Sequence, residues 1–310
     1  MYWTGDAVLV ALIILGNSMT ILAGRLNRIL FKITSNHLIF SLAISDLCVG
    51  FAVSYDLVFF FYPSLDHYKF SCLLRFVFIS GACTASFFNI TAIAIDRYVS
   101  IVHPLEYPTY ITKKLINVVV IVNWCAAIFI STIPLYWNTY QSTKKCKLLN
   151  FIPRYYLNVI LIPMFLIVWI SMFVFYWKIW REVRAHFQRL NELGFNGHCN
   201  YNKSNQVVLS ILGCFTICWL PYVIISCIRF SKLPYEPDRI TLHVAYCIAM
   251  LNSGINPLIY AWNNLTFRKA LCHLMSLNSP WPSEYFLNFQ GLRHLVYEDI
   301  IKSNIALADQ

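Results

Sequence analysis

Residues 71–101 read SCLLRFVFISGACTASFFNITAIAIDRYVSI. Within these 31 residues the charges are Arg75 near one end and Asp96 with Arg97 near the other. About 20 mostly apolar residues suffice for a helix to cross roughly 30 Å of hydrocarbon. The stretch is therefore long enough to span a membrane and carries its charges at its margins. Comparable apolar runs occupy roughly 5–25, 37–62, 115–137, 153–180, 205–229 and 240–262, which makes seven spans and an all-α, seven-transmembrane helix bundle. Short polar segments join them, and no low-complexity region, Gly/Ser linker or internal repeat intervenes.

Composition agrees. Hydrophobic residues make up 58% of the 310 and charged residues 12%, about half the soluble share of roughly 25%. Twenty-four basic and 14 acidic side chains are too few to cover a soluble domain of this size. Mean hydropathy is +0.58. This composition argues against a soluble enzyme, a disordered tail and a coiled coil. The 16% of aromatic residues suits rings placed at lipid headgroups.

Basic residues orient the chain. Fifteen of the 24 Lys and Arg fall in the segments after spans one, three and five and in the tail, including Arg25, Lys113, Arg184 and Arg268. The other nine, among them Lys69, Lys144 and Arg239, lie on the opposite side. The excess predicts a cytoplasmic first set and an extracellular N-terminus. The net charge of +10 then faces anionic lipid, since no zinc spacing, recognition helix or RNA-binding aromatic motif accompanies it, and no nucleic-acid partner is expected. No secretory signal is visible, so the first span serves as its own insertion signal. The outer tail, about five residues, cannot fold a binding domain, and an N-terminally incomplete chain is the alternative.

Seven of the eleven Cys lie inside spans, where cysteine is usually a small apolar filler, and no CxxC or His/Cys cluster shows metal-ligand spacing. Cys72 opens the third span on the outside and Cys146 lies in the second extracellular loop, so a disulfide between them is expected in an oxidising compartment, two free thiols being the alternative.

Charges inside the bilayer are costly and mark function. Asp46 sits in the middle of span two, and Asn17, Ser86, Asn252, Ser253 and Asn256 lie at similar depth. A carboxylate ringed by hydroxyl and amide oxygens suits a small hard cation or a proton, and equally a satisfied structural network. Asp96-Arg97-Tyr98 puts an acid–base pair at the cytoplasmic mouth. Pro221 in Phe215-Thr-Ile-Cys-Trp219-Leu-Pro221 and Pro257 in Asn256-Pro257-Leu-Ile-Tyr260 each remove a helical hydrogen bond and kink their spans. Pro134 ends span four, and Trp124 lies in its middle.

Taken together, these residues over about 1–275 resemble the rhodopsin-like (class A) G-protein-coupled receptors: Asn17, Leu42, Asp46, Cys72, Asp96-Arg97-Tyr98, Trp124, Cys146, Cys218-Trp219-Leu220-Pro221 and Asn256-Pro257-Leu258-Ile259-Tyr260. Ala-Ile-Ala-Ile-Asp-Arg-Tyr is nearest in flavour to the adenosine, melanocortin, cannabinoid and lysophospholipid cluster. The resemblance implies a receptor, not an enzyme, that converts binding of an extracellular ligand of unknown identity into activation of a heterotrimeric G protein. It implies no cofactor beyond an allosteric sodium ion at Asp46, Ser86, Asn252, Ser253 and Asn256. Arrestin, a receptor kinase and membrane lipid are the further partners implied, with the plasma membrane as location. Phe215 and Trp219 would be toggle residues. Arg97, Tyr260 and Tyr176 would rearrange on opening, and Leu105 would contact the G protein. A multi-span transporter or channel is the alternative, but it would need repeated halves or pore-lining charge rings. A membrane enzyme would need a nucleophile motif, and the eight His are scattered.

Some positions depart from the family. Its fifth-span proline lies eight residues before the tyrosine matched here by Tyr176, but Val168 stands there and Pro163 is thirteen before. Either the usual bulge is missing or Tyr176 is mismatched. Tyr201 occupies the place of the sixth-span acid, which would leave Arg97 held only by Asp96 and predicts appreciable basal signalling. Ile79 stands where amine receptors carry an Asp, and Met250 near where opsins carry a retinal-binding Lys, which argues against both subfamilies. Asp6 is adenosine-like, but Ser226 replaces the adenine-reading Asn.

Asp56, Arg75 and Arg229 remain near the outer mouth. They form either a ligand site, or, for Asp56 and Arg75, an ion pair tying spans two and three. Ile79, Phe78, Trp219, Tyr222 and Tyr246 would line the pocket below, the alternative for the aromatics being plain packing. Sequons at Asn89, Asn202 and Asn264 fall in the bilayer or the cytoplasm and should carry no glycan. The domain division is 1–262 for the bundle, 263–275 for an amphipathic eighth helix with Cys272 as a palmitoylation site, an unmodified thiol being the alternative, and 276–310 for a cytoplasmic tail.

Overall fold

The computed structural model describes residues 2–274 apart from 28, 29, 31, 140–145, 147–151, 154, 193–200, 231–237 and 264. Residues Met1–Leu271 form one compact unit and Cys272–Gln310 a second. The helices are α1 (Tyr2–Leu26), α2 (Asn36–Phe61), α3 (Lys69–Val102), α4 (Lys113–Tyr136), α5 (Ile162–Glu192), α6 (Tyr201–Phe230), α7 (Arg239–Asn263) and α8 (Leu265–Leu274). Single turns at Pro63–His67 and Tyr107–Tyr110 connect α2 to α3 and α3 to α4, and a π-helical turn, Tyr156–Leu161, leads into α5. Strands are absent among the described residues.

Six described segments are long and apolar enough to cross a membrane: Thr4–Leu26, Asn36–Phe61, Lys69–Val102, Lys113–Tyr136, Tyr156–Ala185 and Ile240–Trp262. In α6 the described apolar stretch is the shorter Gly213–Ile228. Backbone polar groups in hydrocarbon must be satisfied within the segment, and only a helix does this for a single span. Large apolar side chains face outward along the spans, Phe129, Ile167 and Leu258 among them. In water such a surface would aggregate, whereas in lipid it is the solvated face.

Burial identifies the centre. The most apolar windows of α2 and α3 are 61% buried, against 17% in α4 and α5, so α2 and α3 form the middle of the bundle. Small residues let helices approach. A Cβ on Gly50 would come within 2.8 Å of Ile14 on α1, and one on Gly24 within 2.0 Å of the Phe40 ring on α2. Thr112 caps α4 by accepting the Leu115 amide at 3.2 Å. Pro134, Pro221 and Pro257 all lie inside helices. Phe267 of α8 is fully buried, with its ring 6.1 Å from Tyr260 and 6.5 Å from Phe40.

Candidate functional site

At one end of the bundle the Cys72–Cys146 disulfide joins the start of α3 to the α4–α5 connection, with Cα atoms 5.7 Å apart. The expected pairing is present. Around it Leu73, Phe76, Ile152, Tyr156 and Leu157 form a second small core. Tyr156 is fully buried, stands edge-on to Phe76 and donates to the Ile130 carbonyl at 2.9 Å. This cap roofs a cavity of about 520 Å³ enclosed by α2, α3, α5, α6 and α7.

The cavity lining is mainly apolar, and its charged residues are Asp56 and Arg75. Arg75 Nε donates to Asp56 Oδ1 at 2.5 Å, and Tyr246 from α7 donates to Asp56 Oδ2 at 2.9 Å. The Arg75 guanidinium also lies 4.8 Å from the Phe59 ring centroid. The expected ion pair between α2 and α3 forms, and it faces the cavity. Ile79, Tyr222, Tyr246 and Trp219 line it as expected, together with Ser226 and Met250. Phe78 does not: it is 37% exposed and outside the lining, because its position on α3 turns it outward. The side chain of Arg229 lies outside those described.

On the cavity wall and just beneath it the aromatic rings meet. Phe87 of α3 packs edge-to-face on Trp219 at 4.6 Å and on Phe215 at 5.4 Å. Phe165 of α5 joins Phe87 at 5.9 Å and stacks on Phe215 at 5.8 Å. Phe87 and Phe165 escaped the sequence reading because an aromatic in an apolar run carries no local mark. The π-helical turn Tyr156–Leu161 ends two residues before Pro163, so this span carries a bulge at its start. Tyr176 itself lies thirteen residues beyond Pro163, half-way down α5 and eight residues beyond Val168.

Lower still, Asp46 is fully buried and accepts from Ser86 at 2.8 Å and from Asn256 at 2.7 Å. Asn17 donates to the Ile13 and Ser253 carbonyls at 2.9 and 3.0 Å, while its Oδ1 is buried without a hydrogen bond. Asn252 and Ser253 are buried at the same level. The expected polar cluster is thus assembled from α1, α2, α3 and α7. A neighbouring chain runs Trp124 Nε1 to Ser41 at 3.1 Å and Ser41 to Asn89 at 3.0 Å. Asn89 is fully buried there, which fits its predicted lack of a glycan.

At the far mouth Arg97 Nε lies 3.5 Å from Asp96, and Arg97 also donates to Ser35 at 3.2 Å. Tyr107, on the turn after α3, donates to Asp96 Oδ1 at 2.9 Å. Arg97 is therefore not held by Asp96 alone, and the restraint on the mouth is stronger than the sequence implied. Burial, followed by the adjacent Asp96 carboxylate, pushes the Tyr107 phenol up to about 12, so it remains a donor at physiological pH. Tyr98 packs against Phe175 at 5.4 Å, with the Lys178 ammonium 5.5 Å from its ring. Leu105 is exposed, and Tyr260 is buried with its hydroxyl unpaired. The Tyr201 side chain lies outside those described. Cys272 is a half-buried free thiol on α8.

One cluster corrects the expectation that no His/Cys set has metal-ligand spacing. His243 and Cys247 stand four apart on α7 and converge on Asp6 of α1. The His-x-x-x-Cys spacing was legible, but its third member lies 241 residues away from Cys247.

A family model described as "7 transmembrane receptor (rhodopsin family)" matches residues 16–260. The chain is 31% identical to the histamine H2 receptor of Canis lupus familiaris, over 85% of this chain and 76% of that protein. It is 29% identical to the histamine H2 receptor of Cavia porcellus, over 88% of this chain and 80% of that one. It is 27% identical to the human adenosine receptor A2b, over 89% and 90% respectively.

Proposed function

The chain belongs to the rhodopsin family of seven-transmembrane receptors and is a G-protein-coupled receptor, and on that premise we propose how it works. The reading of a transporter or channel is not favoured by this membership. We place the receptor in the plasma membrane with the cavity end and the N-terminus extracellular. Support comes from the Lys and Arg excess at the other end and from a disulfide beside the cavity, which an oxidising compartment would form. The divisions 1–262, 263–275 and 276–310 mark bundle, amphipathic helix and cytoplasmic tail.

The ligand is a small organic molecule with a largely apolar body and one polar group directed at Asp56, Arg75 and Tyr246. The observation that carries this is the charged triangle on the wall of an otherwise apolar cavity of about 520 Å³. Each Asp56 oxygen already accepts one hydrogen bond and the Arg75 guanidinium neutralises the carboxylate, so a cationic group meets a charge that is already compensated. Among the described residues no terminal nitrogen of Arg75 is hydrogen-bonded, so an acceptor such as a carboxylate can add without breaking the pair. We favour the acceptor. The amine reading has a specific support of its own in the relatives named for histamine.

Ligand contact at Tyr222, Tyr246 and Trp219 would bias two packings of the ring cluster, Phe215 and Phe87 included. Pro221 and Pro257 would supply the hinges. The cytoplasmic mouth would then open, with Tyr260 and Arg97 rearranging and Tyr98 and Leu105 meeting the G protein. A ligand can shift such an equilibrium only by its differential affinity for the two states, and coupling to the G protein is reciprocal. Asp46, Ser86, Asn17, Ser253 and Asn256 fit a sodium ion. They are hard oxygen ligands, and the Asn17 carbonyl oxygen lacks a donor. The ion would supply a countercharge for the buried carboxylate, with Asn252 beside it. Arrestin and a receptor kinase would act on the opened cytoplasmic face, and a lipid on Cys272 would anchor α8.

The test is a ligand-library screen read through a promiscuous G protein, repeated on Asp56→Asn and Arg75→Met. Loss of response in Arg75→Met with Asp56→Asn retained supports an acceptor ligand. The reverse supports a cation, and an unchanged response in both refutes the site.

A further inference from the structure

Asp6, His243 and Cys247 lie apart from the ligand cavity, the polar cluster and the cytoplasmic mouth. Asp6 Oδ1 is 3.3 Å from His243 Nε2 and 3.1 Å from Cys247 Sγ, and Sγ is 3.6 Å from Nε2. Zinc bonds of about 2.0–2.3 Å at tetrahedral angles space N, O and S ligands about 3.4–3.6 Å apart. The observed triangle has nearly these edges. Thiol, imidazole and carboxylate are together the donor set of a borderline-soft divalent ion, whereas magnesium and calcium take oxygen ligands.

Helix geometry provides two of the ligands, since residues four apart share a face. Packing of α1 against α7 brings the third. The Asp6 and His243 side chains are 14% and 35% exposed, so an ion has access from the outer end.

We propose that Asp6, His243 and Cys247 form a zinc site that clamps the outer ends of α1 and α7, with water as the fourth ligand. Zinc takes the place of the thiol proton on Cys247, which leaves to solvent. The clamp lies one residue along α7 from Leu242 and Tyr246, both of which line the ligand cavity. It therefore holds α7 where Tyr246 meets Asp56. Bound metal stabilises whichever bundle packing keeps the three side chains together.

The probe is the metal alone, so the result does not depend on knowing the ligand. ZnCl2 is titrated onto the detergent-purified full chain while thermal unfolding is followed, with MgCl2 as the control. On intact cells a membrane-impermeant thiol reagent reports the exposure of Cys247, with Cys247→Ser giving the background from other cysteines. We expect micromolar Zn2+, but not Mg2+, to raise the unfolding temperature and slow the labelling. Asp6→Asn, His243→Ala and Cys247→Ser should each weaken the effect on unfolding at least about tenfold, a loss of one ligand exceeding typical outer-shell effects. Cys247→His should keep it, since imidazole also binds zinc. An unfolding shift equal in all three ligand variants, or none up to millimolar Zn2+, overturns the proposal. If those variants do not fold, the native chain decides: labelling unaffected by Zn2+ overturns it and slowed labelling upholds it.

Discussion

Phe87 and Trp219 stand edge to face with ring centroids 4.6 Å apart, closer than the 5.4 Å that separates Phe87 from Phe215 on the same helix as Trp219. Phe87 also touches Phe215 and Phe165, so one α3 side chain meets both partners of the sixth-helix motif and the fifth helix. A ligand that moves Trp219 must move against this ring.

Replacing Phe87 should therefore separate binding from signalling. An edge-to-face pair contributes about 0.5–1.5 kcal/mol beyond its area, and removing a buried Phe to Ala costs about 3–5 kcal/mol. Phe87→Leu, which keeps most of the volume, should reach the cell surface yet lose about tenfold in agonist-driven nucleotide exchange. Equal exchange at equal surface density would refute this role.

Asp46→Asn should remove sodium sensitivity. In the native chain, basal exchange on purified G protein should fall when choline chloride is replaced by NaCl at constant ionic strength. The variant should show the same basal rate in both salts. A sodium response that survives Asp46→Asn would place the ion elsewhere.

Tyr107→Phe should raise basal signalling. It removes the hydrogen bond that holds Asp96 from outside α3, worth about 1 kcal/mol, or roughly a fivefold change in the closed-to-open ratio. The phenol titrates near 12 in the folded protein, above its ordinary 10, so its protonated form is the one favoured by folding. Its contribution is complete below pH 10 and disappears as pH rises through 12. Between pH 6 and 9 the basal profiles of native and Tyr107→Phe receptor should thus run parallel, offset by a constant factor.

Cys72→Ser and Cys146→Ser should each lower surface expression and thermal stability by a similar amount, about 2–4 kcal/mol for a bridge closing a long loop. The double variant should be no worse than either single one, because both remove the same bond. Additive losses would show that the two sulfurs act separately.

Hydropathy marked the spans, and single residues marked most of the core of the site. A buried carboxylate such as Asp46, or a proline such as Pro221, is conspicuous in an apolar run because it costs energy there. The spans and the positions of Asp46, Asn17 and Asn256 along them were therefore properties of the chain itself. The tertiary structure decided which faces meet. It turned Phe78 outward and Phe87 inward, joined Asp56 to Tyr246 across 190 residues, and brought Ser35 to Arg97 across 62. It also closed Asp6 on His243 and Cys247. The reason is physical: helical periodicity and hydropathy are local and set where a residue sits along its own helix. Partners across the bundle depend on each helix's rotation, crossing angle and kink, which only the packing of all the helices together determines.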